Sequence, residues 1–474
     1  MFHHSQRWID DEGATEHENG SLQLSEGQSL TFVKHKSRFQ KDHFHPEKPA
    51  KLRNSLLIAV GFLELANAGD FAANVWNMSP LPVYAVVLMA MGGTVALAML
   101  YFVVKDSRLS WRNICGLRQE RLYLLSQRDL AREQDRADMI RSLDCFLHVN
   151  FRELGTEYID RIGMDILMGF GALVVGVGTY MAIGGDDRAV FLASNLLTGY
   201  IGNTPCAVYG LVNLGWSVYV WVRARRHKAV TAPGVQSTRF EQMLKSRTAN
   251  VQLHSYVNGI TGIVAGAASL ATATQWWAYV VLIPCILTSG MLNWFWRNRV
   301  GYDRPFIRGE IYVDEDSLVN ALRYADLCRQ RVENSSSEPV FALLPELASF
   351  PSVLAVIMNN NLFEDFCLRI LADQDLTARL FPEANDSVTI DAQRLSVVED
   401  RVLLSQLLDV AKTVVNKAAP KCFVYKERWL LEALGCYMTA LRVQEKSKEE
   451  DQMQAVPGEE YYPLKQESKW VFWK

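Results

Sequence analysis

The stretch TANVQLHSYVNGITGIVAGAASLATATQWWAYVVLIPCILTSGMLNWFW, Thr248 to Trp296, runs for 49 residues without an Asp, Glu, Lys or Arg. A helix needs about 20 apolar residues to cross the hydrocarbon core, so this run is long enough to cross twice. It divides at Thr274-Gln275 into a span over 255–274 and a second over 276–296, a helical hairpin. Trp276, Trp277 and Tyr279 mark an outer interface. Trp294 and Trp296 lead into Arg297 and Arg299, the aromatic and basic anchors of an inner one. Asn258, Thr261, Gly262, Ala265, Ser269 and Thr272 share one side of the first helix. This small, weakly polar seam predicts a closely packed neighbour, and Pro284 predicts a kink in the second helix.

Upstream, the same reading gives two more hairpins. The first pairs a span over 55–76 with one over 81–104, whose Gly92-Gly93 permits close helix contact. At 100° per residue Glu64, Asn67, Asp70 and Asn74 form one polar stripe on the first of these spans. Intramembrane carboxylates turn away from lipid and mark ion, proton or substrate paths. The alternative is that the stripe packs on Asn, Ser and Thr of a neighbour purely for assembly, with the seam near Asn258 as its partner. The next hairpin begins with a Gly-rich span over 166–183 and continues through an apolar stretch over 189–222, too long for one crossing. A break at 202–205 is expected, with Gly202 and Asn203 at the break, Thr204 as N-cap and Pro205 in the first turn. Broken helices of this kind line binding sites in some transporters, so Asn203 joins the candidate site residues.

Lys and Arg flank the inner ends of all three hairpins, whereas the outer turns carry only Arg188. The positive-inside rule then puts both termini in the cytosol. The predicted fold is all-α: a six-span transmembrane helical bundle of three hairpins with a cytosolic helical C-terminal domain. Its parts are a disordered cytosolic tail (1–53), hairpin 1 (54–104), an amphipathic connector (105–162), hairpin 2 (163–222), a basic connector (223–254), hairpin 3 (255–296), the helical domain (297–449) and an aromatic, basic tail (450–474). In the first connector Leu122, Leu125, Leu130, Ala137, Ile140, Leu143 and Leu147 recur at helical spacing. In the C-terminal domain helices are predicted over 314–333, 352–373, 391–417 and 426–446, with Leu318, Leu322, Leu354, Ile357, Leu403, Leu407, Leu430, Leu434 and Met438 building one core. Asn77-Met78-Ser79 is a sequon that should go unused beside Pro80.

The chain has 474 residues, a net charge of −3 and interspersed signs, which gives no nucleic-acid footprint. Its eight cysteines form no CxxC pair or zinc spacing and are expected to be reduced. His43-Phe44-His45 lacks a third ligand, and no metal or cofactor is expected. No Walker, GxSxG or HExxH motif and no histidine or aspartate cluster of the membrane oxygenase or prenyl-diphosphate type occurs.

Thr198-Gly199-Tyr200-Ile201-Gly202-Asn203-Thr204-Pro205, followed by Trp216 to Trp221 and the basic run from Arg223, resembles the generic multi-pass integral membrane proteins of filamentous fungi. The resemblance covers mainly the membrane half and implies an accessory role, some members lying near secondary-metabolite genes; it transfers no functional residue. The expected partners are the lipid bilayer and a protein at the cytosolic domain. Three function classes stand: a non-enzymatic accessory or scaffold, a small-molecule or ion transporter using Glu64 and Asp70, and a membrane-embedded enzyme of lipid or terpenoid type. A water-accessible cavity at Glu64, Asp70 and Asn203 favours the second, an enclosed apolar pocket at Glu64 the third, and tight burial of the stripe against the seam the first.

Overall fold

The computed structural model describes residues 29–35, 43–76, 80–231, 238–309, 312–335, 338–344, 349–382 and 386–454. The sequon at 77–79, the aromatic tail beyond 454 and the side chain of His43 lie outside the described residues.

The chain is predominantly helical, but the segment read as a disordered tail contributes strands. β1 (Ser29–His35), β2 (His43–Pro46), β3 (Lys51–Leu52), β4 (Arg304–Pro305) and β5 (Ser387–Asp391) form two small antiparallel sheets, ordered β2-β1-β5 and β3-β4. Ser29 faces Asp391, Phe32 faces Val388 and Leu52 faces Arg304 across the pairs. Alternation in Ser387-Val-Thr-Ile-Asp391 puts Val388 and Ile390 inward beside buried Phe32. The β1–β5 pairing joins residues more than 350 positions apart and leaves no local signal in the polar N-terminal segment.

The stretch 55–76 is not one helix. It comprises a 3-10 turn at Ile58–Phe62 and two five-residue α-helices, Leu65–Gly69 and Phe71–Val75. Next comes α1 (Val83–Glu133), 51 residues and about 77 Å long, which fuses the second predicted span to half of the connector. A turn with Asp135 in the left-handed region (φ 53) reverses the chain into α2 (Ala137–Gly155). The π-helical segment Thr156–Gly163 leads on into α3 (Met164–Ala182). The expected interruption is seen: a short helix Arg188–Asn195, a π-helical piece Leu196–Ile201 and a turn at Gly202-Asn203 precede α4 (Thr204–Thr231). Thr204 does not cap it, because its hydroxyl donates back to Tyr200 O (2.7 Å). α5 (Thr238–Ala271) and α6 (Ala278–Phe295, containing Pro284) follow.

The C-terminal part holds α7 (Glu315–Asn334), α8 (Phe350–Asn359), α9 (Phe363–Ala372) and α10 (Arg401–Gln454). Asp314 and Ser317 cap α7 reciprocally. The predicted helix over 352–373 is split at the asparagine run, where Asn361 has φ 57. The predicted break between 417 and 426 is absent: α10 continues through Pro420 for 54 residues. Its unbroken apolar face (Leu407, Ala411, Val415, Ala419, Phe423, Leu430, Leu434) outweighs the one backbone bond that proline removes.

Among the described residues, four helical stretches are long and apolar enough to cross a membrane: Val83–Glu133, Ala137–Ala182, Arg188–Thr231 and Ala278–Val300. Val83, Met91, Ile166, Leu211, Val280 and Met291 stand exposed on them, as lipid-facing side chains do. An integral membrane location is consistent with both observations. The pieces of 55–76 run antiparallel to α1 along its apolar half: Leu57 N–H donates to Asp106 (2.9 Å), Gly69 abuts Gly92, and the Trp76 and Tyr84 rings meet at 5.5 Å. α5 does the same along α4, with Asn258 on Asn213 (2.9 Å), Gly262 against Gly210, and Thr272 near Asn203 (3.4 Å).

The remaining core is double rather than single. Leu117, Leu124, Leu143 and Phe146 of α1 and α2 pack with Leu318, Leu322, Leu430 and Leu434; Phe32, Leu354, Ile357, Phe366, Leu403 and Leu407 form a second cluster at the N-terminal end of α10. Within α1, Leu124 and Ala131 are buried while Leu122 and Leu130 are exposed. The reversal at Asp135 shifts the helical phase, which a single periodicity drawn from 122 to 147 could not follow.

Candidate functional site

The polar stripe is buried at the junction of the broken segment with α4, α5 and α6. Tyr279 OH donates to Asp70 Oδ1 (2.6 Å), and Asn74 Nδ2 donates to Asp70 Oδ2 (3.1 Å) and Tyr279 OH (2.7 Å). Thr198 donates to Asn74 Oδ1 (3.4 Å). One turn away, Asn67 Nδ2 donates to Ser269 Oγ (3.2 Å) and reaches Cys206 Sγ (3.5 Å). Asn203 Nδ2 donates to Gly199 O (3.2 Å), satisfying backbone freed at the helix interruption, and to Ser269 O (2.6 Å). The six candidates thus divide. Asn67 and Asn203 meet at Ser269, Asp70 and Asn74 meet at Tyr279 with Thr198 on Asn74, and Asn258 is spent on Asn213.

The expected contact between Glu64 and Asn258 is therefore replaced by an Asn258–Asn213 pair. The seam serves two neighbours: its Asn258 and Gly262 end receives α4, and its Ala265 and Ser269 end receives the stripe. Glu64 stands apart. It is buried, its Oε2 has no hydrogen-bond partner among the described residues, and burying a carboxyl unpaired is costly. Tyr279, read from sequence as an interface anchor, is only 3 % exposed and holds Asp70 instead. Its position beside Trp276 and Trp277 masked that role.

At the other end of the apolar slab a second polar system gathers charges from segments far apart in sequence. Arg161 grips Asp106 (3.0 Å) and Glu157 (3.0 Å); Glu157 also accepts from Ser110 (2.6 Å) and Asn113 (2.8 Å). Arg304 pairs with Glu120 (2.6 Å) and Glu153, and Tyr302 OH donates to Glu153 (2.8 Å). Arg161 and Arg304 are each less than 5 % exposed, so these are buried ion pairs that fix elements in place. The only sequence signal was the i,i+4 spacing of Glu157 and Arg161 beside a span. Between the two systems lies a polar cavity of about 70 Å³, lined by Thr156, Asp160, Arg161, Tyr209, His254 and Asn293 among others. Asp160 Oδ1 and Thr156 Oγ1 lack partners among the described residues, and the cavity is large enough for water. Neither this cavity nor the larger cleft described below includes Glu64, Asp70 or Asn203.

Among the described residues one group places three possible metal ligands together, His227, Glu432 and Cys436, with ligand atoms within 4.8 Å of one another. The donor set does not fit a cation. Arg223 donates to Glu432 (3.2 Å) and to Cys436 Sγ (3.0 Å), filling the lone pairs a metal would use. Burial also pushes the Cys436 thiol up to about 12, and a metal takes the thiolate. Burial opposes charge on Glu432, but Arg152, Arg223, His227 and Arg247 outweigh it and hold the carboxyl well below the usual range.

A depressed folded-state pKa contributes stability above the unfolded value of about 4.3, lost as pH falls below it. Thermal midpoints of the purified chain should therefore drop as pH falls below about 5, and Glu432→Gln should flatten that drop while lowering the midpoint at pH 7. Parallel pH profiles for the two proteins would rule out Glu432 as the titrating lock.

All eight cysteines are unbridged. Compared with protein-family models, curated proteins and solved structures, the chain matches none.

Proposed function

We propose that this is a six-span membrane protein, three helical hairpins with both ends in the cytosol, acting as a non-enzymatic accessory or scaffold. The strand pairings support the even number of crossings. β1 pairs with β5 and β3 with β4, which supports one side of the bilayer for Ser29–Val33, Lys51-Leu52, Arg304-Pro305 and Ser387–Asp391. Arg53 N–H donates to Asn113 (3.3 Å), which supports the same side for the part of α1 around Asn113. The broken segment must then cross outward if α1 crosses back, and the same parity applies to α5 against α6. Basic flanks support a cytosolic assignment for this side.

The observation that carries the accessory reading is the engagement of the stripe. Asn67, Asp70 and Asn74 each spend their polar atoms on a neighbouring element within a buried interface. That is how assembly uses intramembrane polar groups. A link to secondary metabolism, which the resemblance to fungal membrane proteins implies, belongs to the same proposal, as does a protein partner on the cytosolic domain.

One observation favours a transporter as second reading: the unpartnered Glu64 carboxyl beside two interrupted helices. A membrane-embedded enzyme receives no comparable support, since no described cavity reaches Glu64 or Asp70. Purified chain in liposomes carrying a pH gradient separates the first two. On the accessory reading the gradient decays as in empty liposomes, and Glu64→Gln replaces the wild type in cells at equal membrane abundance. Gradient collapse by the wild type that Glu64→Gln abolishes would overturn that reading in favour of a proton-coupled transporter.

A further inference from the structure

A second cleft, about 830 Å³, opens between the inner end of α6, the β3-β4 pair, α9 and α10. Eight Lys and Arg side chains line it against two Asp. Three of the eight are already committed: Lys51 to Asp365 (2.5 Å), Arg53 to Glu364 (2.6 Å) and Arg304 to Glu120 (2.6 Å). The other five, Arg297, Arg369, Lys417, Lys421 and Lys426, have no ion-pair partner among the described residues. Asp303 is the one carboxylate left over, and it accepts from the backbone N–H of Asn54 (2.7 Å).

Helical spacing explains the concentration. Lys417 and Lys421 stand one turn apart on the face of α10 that also presents Thr413 and Tyr425, while Arg369 comes from the facing side of α9. Like charges so placed repel one another, which costs stability unless an anion neutralises them. Lys426 sharpens the point. Its side chain is 6 % exposed, its ammonium faces the Tyr324 ring at 5.1 Å, and its one hydrogen bond is a long one to Asn359 O (3.4 Å). Burial lowers its pKa, and no carboxylate offsets that. A buried ammonium without a counter-ion is where an anion gains most.

We propose that this cleft binds a compact, multiply phosphorylated anion. The volume suits a ligand of headgroup size, and Arg and Lys together match phosphate oxygens by bidentate and point-charge contacts. Arg297 follows Trp296 at the end of α6, so on the six-span reading one rim lies at the membrane surface, within reach of a lipid headgroup as well as a soluble phosphate.

Full-length protein in detergent, titrated with inositol 1,4,5-trisphosphate by calorimetry, tests the soluble source. Nanodiscs with and without phosphatidylinositol 4,5-bisphosphate, matched in charge by phosphatidylserine, test the lipid source through the thermal midpoint. Saturable binding or a bisphosphate-specific rise in midpoint supports the proposal and assigns the source. Combined Lys417→Gln and Lys421→Gln should weaken binding about tenfold or more, whereas Lys412→Gln, on α10 but outside the cleft, should leave it unchanged. These substitutions are at exposed or half-buried positions, so folding is not at stake. No response to either probe, or equal loss from Lys412→Gln, overturns the assignment.

Discussion

Replacing Arg304 with Ala is expected to remove most of the folded protein. The guanidinium sits between Glu120 (2.6 and 2.7 Å) and Glu153 (2.8 Å), and both carboxylates are about as buried as it is. Glu120 also accepts from Asn150 (2.8 Å) and from the backbone N–H of Ile307 (2.9 Å), so it cannot turn away to water. Truncating one member of a buried pair costs about 3–5 kcal/mol, because the surviving charge stays buried. Here two charges survive. The decisive control is a triple variant, Arg304→Met with Glu120→Gln and Glu153→Gln, which removes the charges together. It should recover most of the thermal midpoint that Arg304→Ala loses. If both variants fall equally, the loss comes from packing and not from stranded charge.

Gly92→Ala should be nearly as damaging, for a steric reason. A Cβ at Gly92 would lie 1.9 Å from Gly69 O and 2.7 Å from Gly69 C, so it meets backbone that has no rotamer to change. The clash would prise the broken segment from α1 and pull Asp70 off Tyr279. Overpacking a tight contact costs about 1–3 kcal/mol, and a backbone-on-backbone contact belongs at or above the top of that range. Gly215→Ala is the matched control, since a Cβ there meets nothing within 4 Å. Its only effect is the helix-propensity gain of about 1 kcal/mol. Opposite shifts in thermal midpoint are the expected result; a neutral Gly92→Ala would mean that the two segments do not touch as described.

Apolar length and spacing were readable from the chain because they are local properties. The run 248–296 led directly to α5 and α6, the interruption at Gly202-Asn203 was placed, and the capped start of α7 fell within a residue of its expected position. The stripe of Glu64, Asn67, Asp70 and Asn74 was visible as a face, and its contact with Ser269 followed from the seam. What failed were features decided by distant partners. Nothing near Ser29 announces a strand whose mate is Ser387–Asp391. Pro420 reads as a stop until the apolar face running past it is seen buried. Arg304 looks like one more cation after a span, because Glu120 and Glu153 lie more than 150 positions away.

The pairing of Ser29 with Asp391 also bears on how the chain is made. Translation proceeds from the N-terminus, at about 5–20 residues per second, so the first strand emerges many seconds before its partner exists. Every apolar segment is made within that interval, and one edge of β1 stays unpaired until it ends. Insertion into the bilayer and completion of the sheet are therefore separate events in time. A ribosome stalled before residue 387 should carry a chain whose apolar helices have been made but whose β1 has not yet met β5, and which still lacks α10.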